Sequence, residues 1–501
     1  MRITNTMMMN QTLNNVGKSK NNLADLENQM STQKAITRPS DNPIVAIRAL
    51  SLRSSLSEIN QYLEHNIPDA ESWYEITEGA LDDMDGILTD IYQYCTQGAS
   101  DEFTVNDRSA IIEVLQQYKD ALYSECNTSF SDRYIFSGYK TDSSFTFQSE
   151  TEADKNYSIT QTFEATDLVK VEEMKNGVDL DSIDLNSVTS ADVIKTTDYP
   201  ETESYYALRL AYSGCKNENI DLTYTKAGDT TATTKTATAI SQADLEAQLS
   251  GASIGDDEVY YVYDTGELIL GKNVYDEVKT ATDIQTTYEK DGFTKGDVRP
   301  EMYYDCVDIT DPADPITYTH REEEAISYTV NFSQTLQVNT RGCDTLSTSI
   351  GRDIDAMCNA LQAVSEVEEK IKKIETMQES GLYTSDDQVA VLNSMKEAAE
   401  QEYTYALDYM EDLFSNEMGR VKGYQETVDL QLADLGARET RLSLTKSRIT
   451  EQQSTFEDLK SSNEDVDLED AVINYSSAST LYQAALTAAS DVVKQSLLNY
   501  I

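Results

Sequence analysis

The side chains that most often carry chemistry are few and scattered in this chain. Its only histidines are His65 and His320. A zinc-protease helix needs two histidines four residues apart with a glutamate beside the first. His320-Arg321-Glu322-Glu323-Glu324 has its glutamates misplaced and no second histidine. Six cysteines, Cys95, Cys126, Cys215, Cys306, Cys343 and Cys358, show no C-x-x-C spacing, so neither a zinc site nor a disulfide framework is supported. Free thiols at apolar helix positions act as small hydrophobes. Asp82-Asp83-Met84-Asp85-Gly86 lacks the later ligands of a calcium loop and interrupts a helical stripe, so it reads as an exposed helix face. There is no Gly-rich phosphate loop, G-x-S-x-G elbow or Cys/His dyad. Carboxylate pairs abound, as they must with 89 acidic residues, and so carry no acid–base signal. Trp73, Tyr74, Tyr205-Tyr206 and Tyr303-Tyr304 sit at helix or strand spacing and read as packing. The residues predict no enzyme, cofactor or metal.

With chemistry set aside, composition bounds the rest. A length of 501 residues, 39% of them hydrophobic, allows two to four domains with real cores. The formal net charge of -50 repels phosphate backbones, which excludes nucleic-acid binding, and disfavours anionic membranes. The charge is uneven: Arg2, Lys18, Lys20, Lys34, Arg38, Arg48 and Arg53 face only Asp25, Glu27, Asp41 and Glu58 in the opening stretch. No run of about 18 apolar residues exists, so membrane insertion is not expected. The polar start MRITNTMMMNQTLNN has no signal-peptide core, which on these rules alone predicts a cytoplasmic protein.

Helical periodicity dominates both ends. Met9, Val16, Leu23 and Met30 recur every seven residues, with Leu13 and Leu26 beside them. Arg38-Pro39-Ser40-Asp41-Asn42-Pro43 then reads as a helix stop and start, with Asn42 or Asp41 as N-cap and Pro43 in the first turn. Val45, Ala49, Leu52, Leu56, Ile59 and Leu63 follow as a heptad seam. Leu81, Met84, Leu88, Ile91 and Cys95 form another stripe, as do Ile111, Leu115, Tyr118 and Leu122, with Gly98 and Asp107 bracketing the turn between. After Pro315, the last proline, Phe414, Val421, Val428, Leu435, Leu442, Ile449 and Phe456 fall at every seventh residue. The final stripe is Leu468, Val472, Tyr475, Ser479, Tyr482, Leu486, Ala489 and Val493, then Leu497 and Tyr500.

The middle, about Phe145 to Thr340, is rich in Thr, Tyr, Asp and Gly. Val259–Tyr263 and Leu268–Leu270 around Asp264-Thr265-Gly266-Glu267 predict a hairpin. Gly228 to Thr238 reads as a loop or edge strand, and Ser241 with Asp244 as a cap for a short helix carrying Leu245 and Leu249. The expected fold is therefore mainly α with a β-rich insertion, the long terminal helices pairing antiparallel.

Four segments carry a resemblance. They are Arg38-Pro39-Ser40-Asp41-Asn42-Pro43 with its helix through Gln61-Tyr62 and Asn66-Ile67; Tyr134-Ile135-Phe136-Ser137-Gly138-Tyr139-Lys140-Thr141 ending at Phe145; Val338-Asn339-Thr340-Arg341-Gly342; and Tyr482-Gln483-Ala484-Ala485-Leu486 running on to Ser496-Leu497-Leu498. In this order the chain resembles the flagellin family, and within it the members that join hook to filament rather than the filament formers. Ser144 stands where the family usually carries proline, and the middle and cysteine count are larger than usual.

The resemblance implies a tube-forming structural subunit, extracellular in the flagellum, exported unfolded through the flagellar channel without a cleaved signal; this overrides the cytoplasmic reading. It implies 1–40 plus 462–501 as an innermost helical core, 41–147 plus 325–461 as a helical bundle with small β elements, and 148–324 as an outward β-rich domain. Implied partners are the first hook-associated protein, flagellin, an export chaperone, the export apparatus and copies of the chain itself. Narrow apolar stripes that one chain cannot bury predict terminal helices that are frayed in the free subunit and ordered by neighbours. The expected packing residues are Met9, Leu13, Val16, Leu23, Met30, Tyr475, Tyr482, Leu486, Val493 and Leu497. A filament-forming variant and a surface adhesin or helical scaffold are the other readings.

Overall fold

The computed structural model describes residues 5–36, 38–40, 42–99, 103–180, 185, 187–251, 254–321 and 323–498. Helices α1 (Asn5–Thr32), α2 (Pro43–Gln61), α3 (Ile67–Gly98) and α4 (Val105–Glu125) open the chain. The short α5 (Glu150–Ala153), α6 (Gln242–Gly251), α7 (Lys272–Val278) and α8 (Gly342–Thr345) punctuate the middle. Helices α9 (Ser349–Glu379), α10 (Asp386–Glu464) and α11 (Leu468–Leu498) close it. The long helices thus sit at both ends, as the seven-residue periods require, and the strands lie between them. Two compact units result: residues 1–71 with 328–336 and 438–501, and residues 72–327 with 337–437. Their limits differ from the boundaries expected near 40, 147, 325 and 461.

In the first unit α1 packs along α11, and a bridge between Lys34 and Asp465 fixes the pair as antiparallel. Backbone bonds from Ala35 to Glu464 (2.7 Å) and from Val466 to Gln33 (3.1 Å) tie the connecting turns. Helix α2 runs against the end of α10: Asn463 donates to the Val45 carbonyl (3.1 Å), and Gln453 to Asn60 (2.8 Å). Arg53 makes a bidentate pair with Glu464 (2.7 and 2.6 Å), whose side chain is only 3% exposed. That pairing holds the Glu464 carboxyl below its ordinary range. The helix start lies at Asn42, whose side chain accepts from Val45 N–H, with Pro43 inside the first turn; Asp41 lies outside the described residues. Between α2 and α3, Tyr62–Asn66 forms one π turn that sequence reading missed. Pro68 lacks an N–H and crowds the preceding turn, and the Ile67 N–H reaches back to the Tyr62 carbonyl.

In the second unit the stripe on α3 is wholly buried, Leu81, Met84, Leu88, Ile91 and Cys95 included, as are Ile111, Leu115 and Leu122 of α4. Thr104 caps α4 in a reciprocal box with Asp107. Trp73 is buried against Phe130, and Tyr74 donates to the Gln337 carbonyl (2.6 Å), so both pack as expected. The two-residue strands β1 (Ser129–Phe130) and β2 (Arg133–Tyr134) form a ribbon. Ten further strands make one sheet: β3 (Tyr157–Phe163), β4 (Leu168–Lys175), β5 (Glu201–Arg209), β6 (Ile220–Thr225), β7 (Ala232–Ile240), β8 (Val259–Val262), β9 (Glu267–Leu270), β10 (Thr282–Lys290), β11 (Asp305–Asp308) and β12 (Ile316–Tyr318). Their order is β12-β11-β3-β10-β6-β7-β8-β9-β5-β4. The β8–β9 hairpin is the one expected, with Gly266 at φ +68° closing its turn. Strand β7 corrects the reading of Gly228 to Thr238 as a loop or edge: it lies inside the sheet, antiparallel to β6 and parallel to β8. Its burial alternates, but the inner positions of the alternation are filled by Thr233, Lys235 and Ala237 rather than by large apolar residues, so no hydrophobic period betrays it. Ser241 and Asp244 cap α6 over the buried Leu245 as predicted; the Leu249 side chain lies outside those described. A last ribbon, nearly all of it in the first unit, pairs β13 (Ser327–Asn331) with β14 (Gln334–Gln337).

Candidate assembly surface on the terminal helices

The seam between α1 and α11 is built from two interlocking lines. On α1, Met9, Thr12, Val16, Ser19, Leu23, Leu26 and Met30 are half-buried, alternating by three and four residues. On α11 the facing line is Ala471, Tyr475, Ala478, Tyr482, Ala485 and Ala489. Small alanines between tyrosines let the backbones approach. Of the stripe expected from the sequence, Tyr475, Tyr482 and Ala489 lie on this line and Ser479 is half-buried beside it, while Leu468, Val472 and Leu486 are exposed. Ala471, Ala478 and Ala485 complete the line, small residues that admit a close partner.

What the seam leaves out is apolar. Leu13 of α1 is 53% exposed, and Met7 and Met8 are exposed with it. On α11, Leu468, Val472, Ile473, Leu481 and Leu486 are all exposed, Leu481 by 66%. Helix α2 adds Ile44, Ile47 and Leu50, none less than 62% exposed. Isolated surface leucines need no explanation, but rows of them along three helices of one unit mark surface that a single chain leaves unfinished. Of the expected packing residues, the structure therefore brings Met9, Val16, Leu23, Met30, Tyr475 and Tyr482 into the α1–α11 seam and leaves Leu13 and Leu486 facing solvent. The side chains of Val493 and Leu497 lie outside those described.

The remaining motif residues set local geometry. Arg38, Pro39 and Ser40 are exposed in the turn before α2. In the second unit Phe136 and Ser137 are buried, and Gly138 takes φ +60° with the Glu324 carboxylate where a Cβ would stand. The Gly342 N–H donates to the Phe136 carbonyl (2.8 Å), and any side chain at Gly342 would strike the Phe145 ring. Asn339, fully buried, accepts from Ile326 N–H and donates to the Glu324 carbonyl, both at 2.8 Å. Two motifs far apart in sequence are thus one packed knot. Ser144, in the family's proline position, is buried and donates to the Thr146 carbonyl (2.7 Å) while accepting from Arg299 (3.3 Å).

All six thiols are free, five of them buried. Burial pushes Cys95 up to about 12 and Cys358 to about 11, away from thiolate reactivity. Among the described residues no cluster of His, Cys, Asp and Glu is placed to hold a metal, and no helix is long and apolar enough to cross a membrane.

With that geometry in place, comparison with known proteins is direct. Residues 3–141 match the bacterial flagellin N-terminal helical region, and residues 418–501 the bacterial flagellin C-terminal helical region. Both ends of the chain are thus similar to the flagellin family. Within that family the chain is similar to flagellar hook-associated protein 3 of Salmonella typhimurium, at 31% identity over 144 residues, covering 28% of this chain and 45% of that protein. It is similar also to the Escherichia coli protein of the same name (28% identity, 28% and 45% covered) and to a flagellin of Clostridium tyrobutyricum (27% over 173 residues, 33% and 45% covered). Each match spans less than half the length of the relative. A solved flagellar junction protein, FlgL from Legionella pneumophila, aligns over 84% of this chain and all of its own, at 10% identity and a TM-score of 0.30. A superposition that loose adds nothing to the sequence matches.

Proposed function

We propose that this chain is a structural subunit of the bacterial flagellum that forms the hook–filament junction on which flagellin assembles. The single observation that supports this is the unfinished apolar surface of α1, α2 and α11 in a unit whose sequence matches the flagellin helical regions. Neighbouring subunits would cover Leu13, Ile44, Ile47, Leu481 and Leu486. Each fully buried leucine or isoleucine is worth roughly 1.5–3 kcal/mol, enough in rows to drive stacking. The junction reading, rather than the filament, rests on the names of the relatives and on the double-proline turn Arg38–Pro43. Its partners are the first hook-associated protein on the hook side, flagellin on the other, and an export chaperone and the export apparatus on the way. The β-rich region of residues 148–324 faces outward from the tube.

The flagellin match of equal coverage favours one second reading, a filament-forming variant. Labelling the protein along intact flagella separates the two. A single band at the distal end of the hook is the expected result; label along the whole filament supports the variant, and label confined to the cell surface overturns both. Leu486→Asp places a charge on the exposed row without touching the seam, so it should abolish incorporation while the circular-dichroism melt stays that of the parent. Normal incorporation would remove Leu486 from the contact.

A further inference from the structure

Both terminal helices meet the rest of the first unit at one point. Helix α1 ends at Thr32, and α11 begins at Leu468, a short step past the end of α10 at Glu464. The two connections cross as a pair of backbone bonds, from Ala35 N–H to the Glu464 carbonyl (2.7 Å) and from Val466 N–H to the Gln33 carbonyl (3.1 Å). Gln29 of α1 donates to the Ala35 carbonyl (2.9 Å), and Asp467, just before α11, accepts from Glu469 N–H (2.9 Å), so each helix stops or starts against the crossing. Gln33 holds the left-handed φ of +58° that usually falls to glycine, a conformation kept only where surrounding contacts fix it.

One carboxylate ties this crossing to α2. The Glu464 side chain, 3% exposed, accepts two bonds from Arg53, at 2.7 and 2.6 Å, with Lys34 Nζ 3.7 Å away, and Lys34 pairs in turn with Asp465. Glu464 therefore holds α1's connection through its carbonyl and α2 through its carboxylate. A carboxylate so buried is costly without its cation, which makes the crossing depend on Arg53. Neither terminal helix stands alone: α1 is rich in asparagine and carries Gly17, poor helix formers, and α11 covers its alanine line only with α1. We propose that the joint is a latch: Arg53, acting through Glu464, is the positioning residue that holds the bases of α1 and α11 together, so that the two terminal helices order and unravel as one unit. The latch is a property of the single chain and does not depend on the assembly partners.

Hydrogen exchange on the dilute full chain, read by mass spectrometry of its peptides, tests the latch. The halves of α1 and α11 nearest the joint are expected to share one protection factor, lower than that of α2 and of residues 438–464. Arg53→Met should lower it by the same factor in both helices, roughly tenfold to a hundredfold for the loss of a charged hydrogen-bonded pair. Arg48→Met, at an exposed position of the same helix, should leave it unchanged. Glu464→Gln keeps the volume and removes the charge, so it serves where Arg53→Met fails to fold, and the same paired loss is expected. Separate protection factors for α1 and α11, or none in the parent chain, would overturn the proposal. So would a loss confined to one of the two helices, or one spread equally over α2 and residues 438–464, which an ion pair of merely structural role would give.

Discussion

Glu417 shows how a single side chain can be set against its own surroundings. Its carboxyl is 2% exposed and lies near Asp353 of α9, Arg420 and Tyr424 of α10, Arg209 of β5 and Cys95 of α3. Asp353 takes the strong partners, accepting from Arg209, Arg420 and the Tyr424 hydroxyl (2.6 Å), while Glu417 is left 3.6 Å from Arg420. Burial first, and then the Asp353 charge, push the Glu417 carboxyl up to about 8. An acid whose folded value lies above its unfolded one favours the fold while protonated. That contribution is full below about pH 4.5 and is lost as pH rises to about 8. Glu417→Gln, which stays neutral, should flatten this slope: at pH 9 it should be more stable than the parent by up to a few kcal/mol, and at pH 4 nearly equal. Urea unfolding of both proteins across pH 4–9 measures it, and parallel curves would contradict the assignment. None of this was legible from the sequence, where Glu417 is one of 89 acidic residues.

The elements repeat one lesson, clearest on α10. Its apolar line was legible residue by residue: Phe414, Val421, Val428, Leu435, Leu442 and Ile449 are all buried to 3% exposure or less. A second line runs beside it at the same period through Met410, Glu417, Tyr424, Gln431, Arg438, Thr445 and Gln452, every one buried or half-buried. This second line is mostly polar, so it leaves no apolar stripe to be read from the sequence. The signal available was spacing alone. Leu442→Ala should cost about 2–5 kcal/mol in a denaturant melt, whereas Leu444→Ala, 68% exposed two residues away, should cost under about 0.5 kcal/mol. Equal losses would mean that the face of α10 is misassigned. Val178 and Leu185 were opaque for another reason. They stand outside every helix and strand, yet pack on Ile374, Val391 and Met395 of α9 and α10, a docking that no local periodicity encodes.

For the molecule as a whole, folding and assembly meet in the first unit. Its α1–α11 pair shares a seam of half-buried side chains and alanines, while the larger apolar residues of α11 look outward. A helix pair held by so narrow a seam sits at the low end of local stability. The free subunit should therefore lose residues before about 40 and after about 465 to limited proteolysis first and keep the second unit, with both ends protected after incorporation; ends as resistant as the middle would show that neighbours are not needed to order them. The sequence by itself determined that long helices occupy both termini, that strands lie between, and where α2 begins, since period, proline and capping chemistry act over a few residues. Tertiary structure alone decided that β7 lies inside the sheet, that the alanine line of α11 faces α1, that a polar line completes α10, and that Glu417 is buried beside Asp353. Those outcomes depend on which surfaces meet across hundreds of residues, and a contact between distant segments leaves no periodic trace in either.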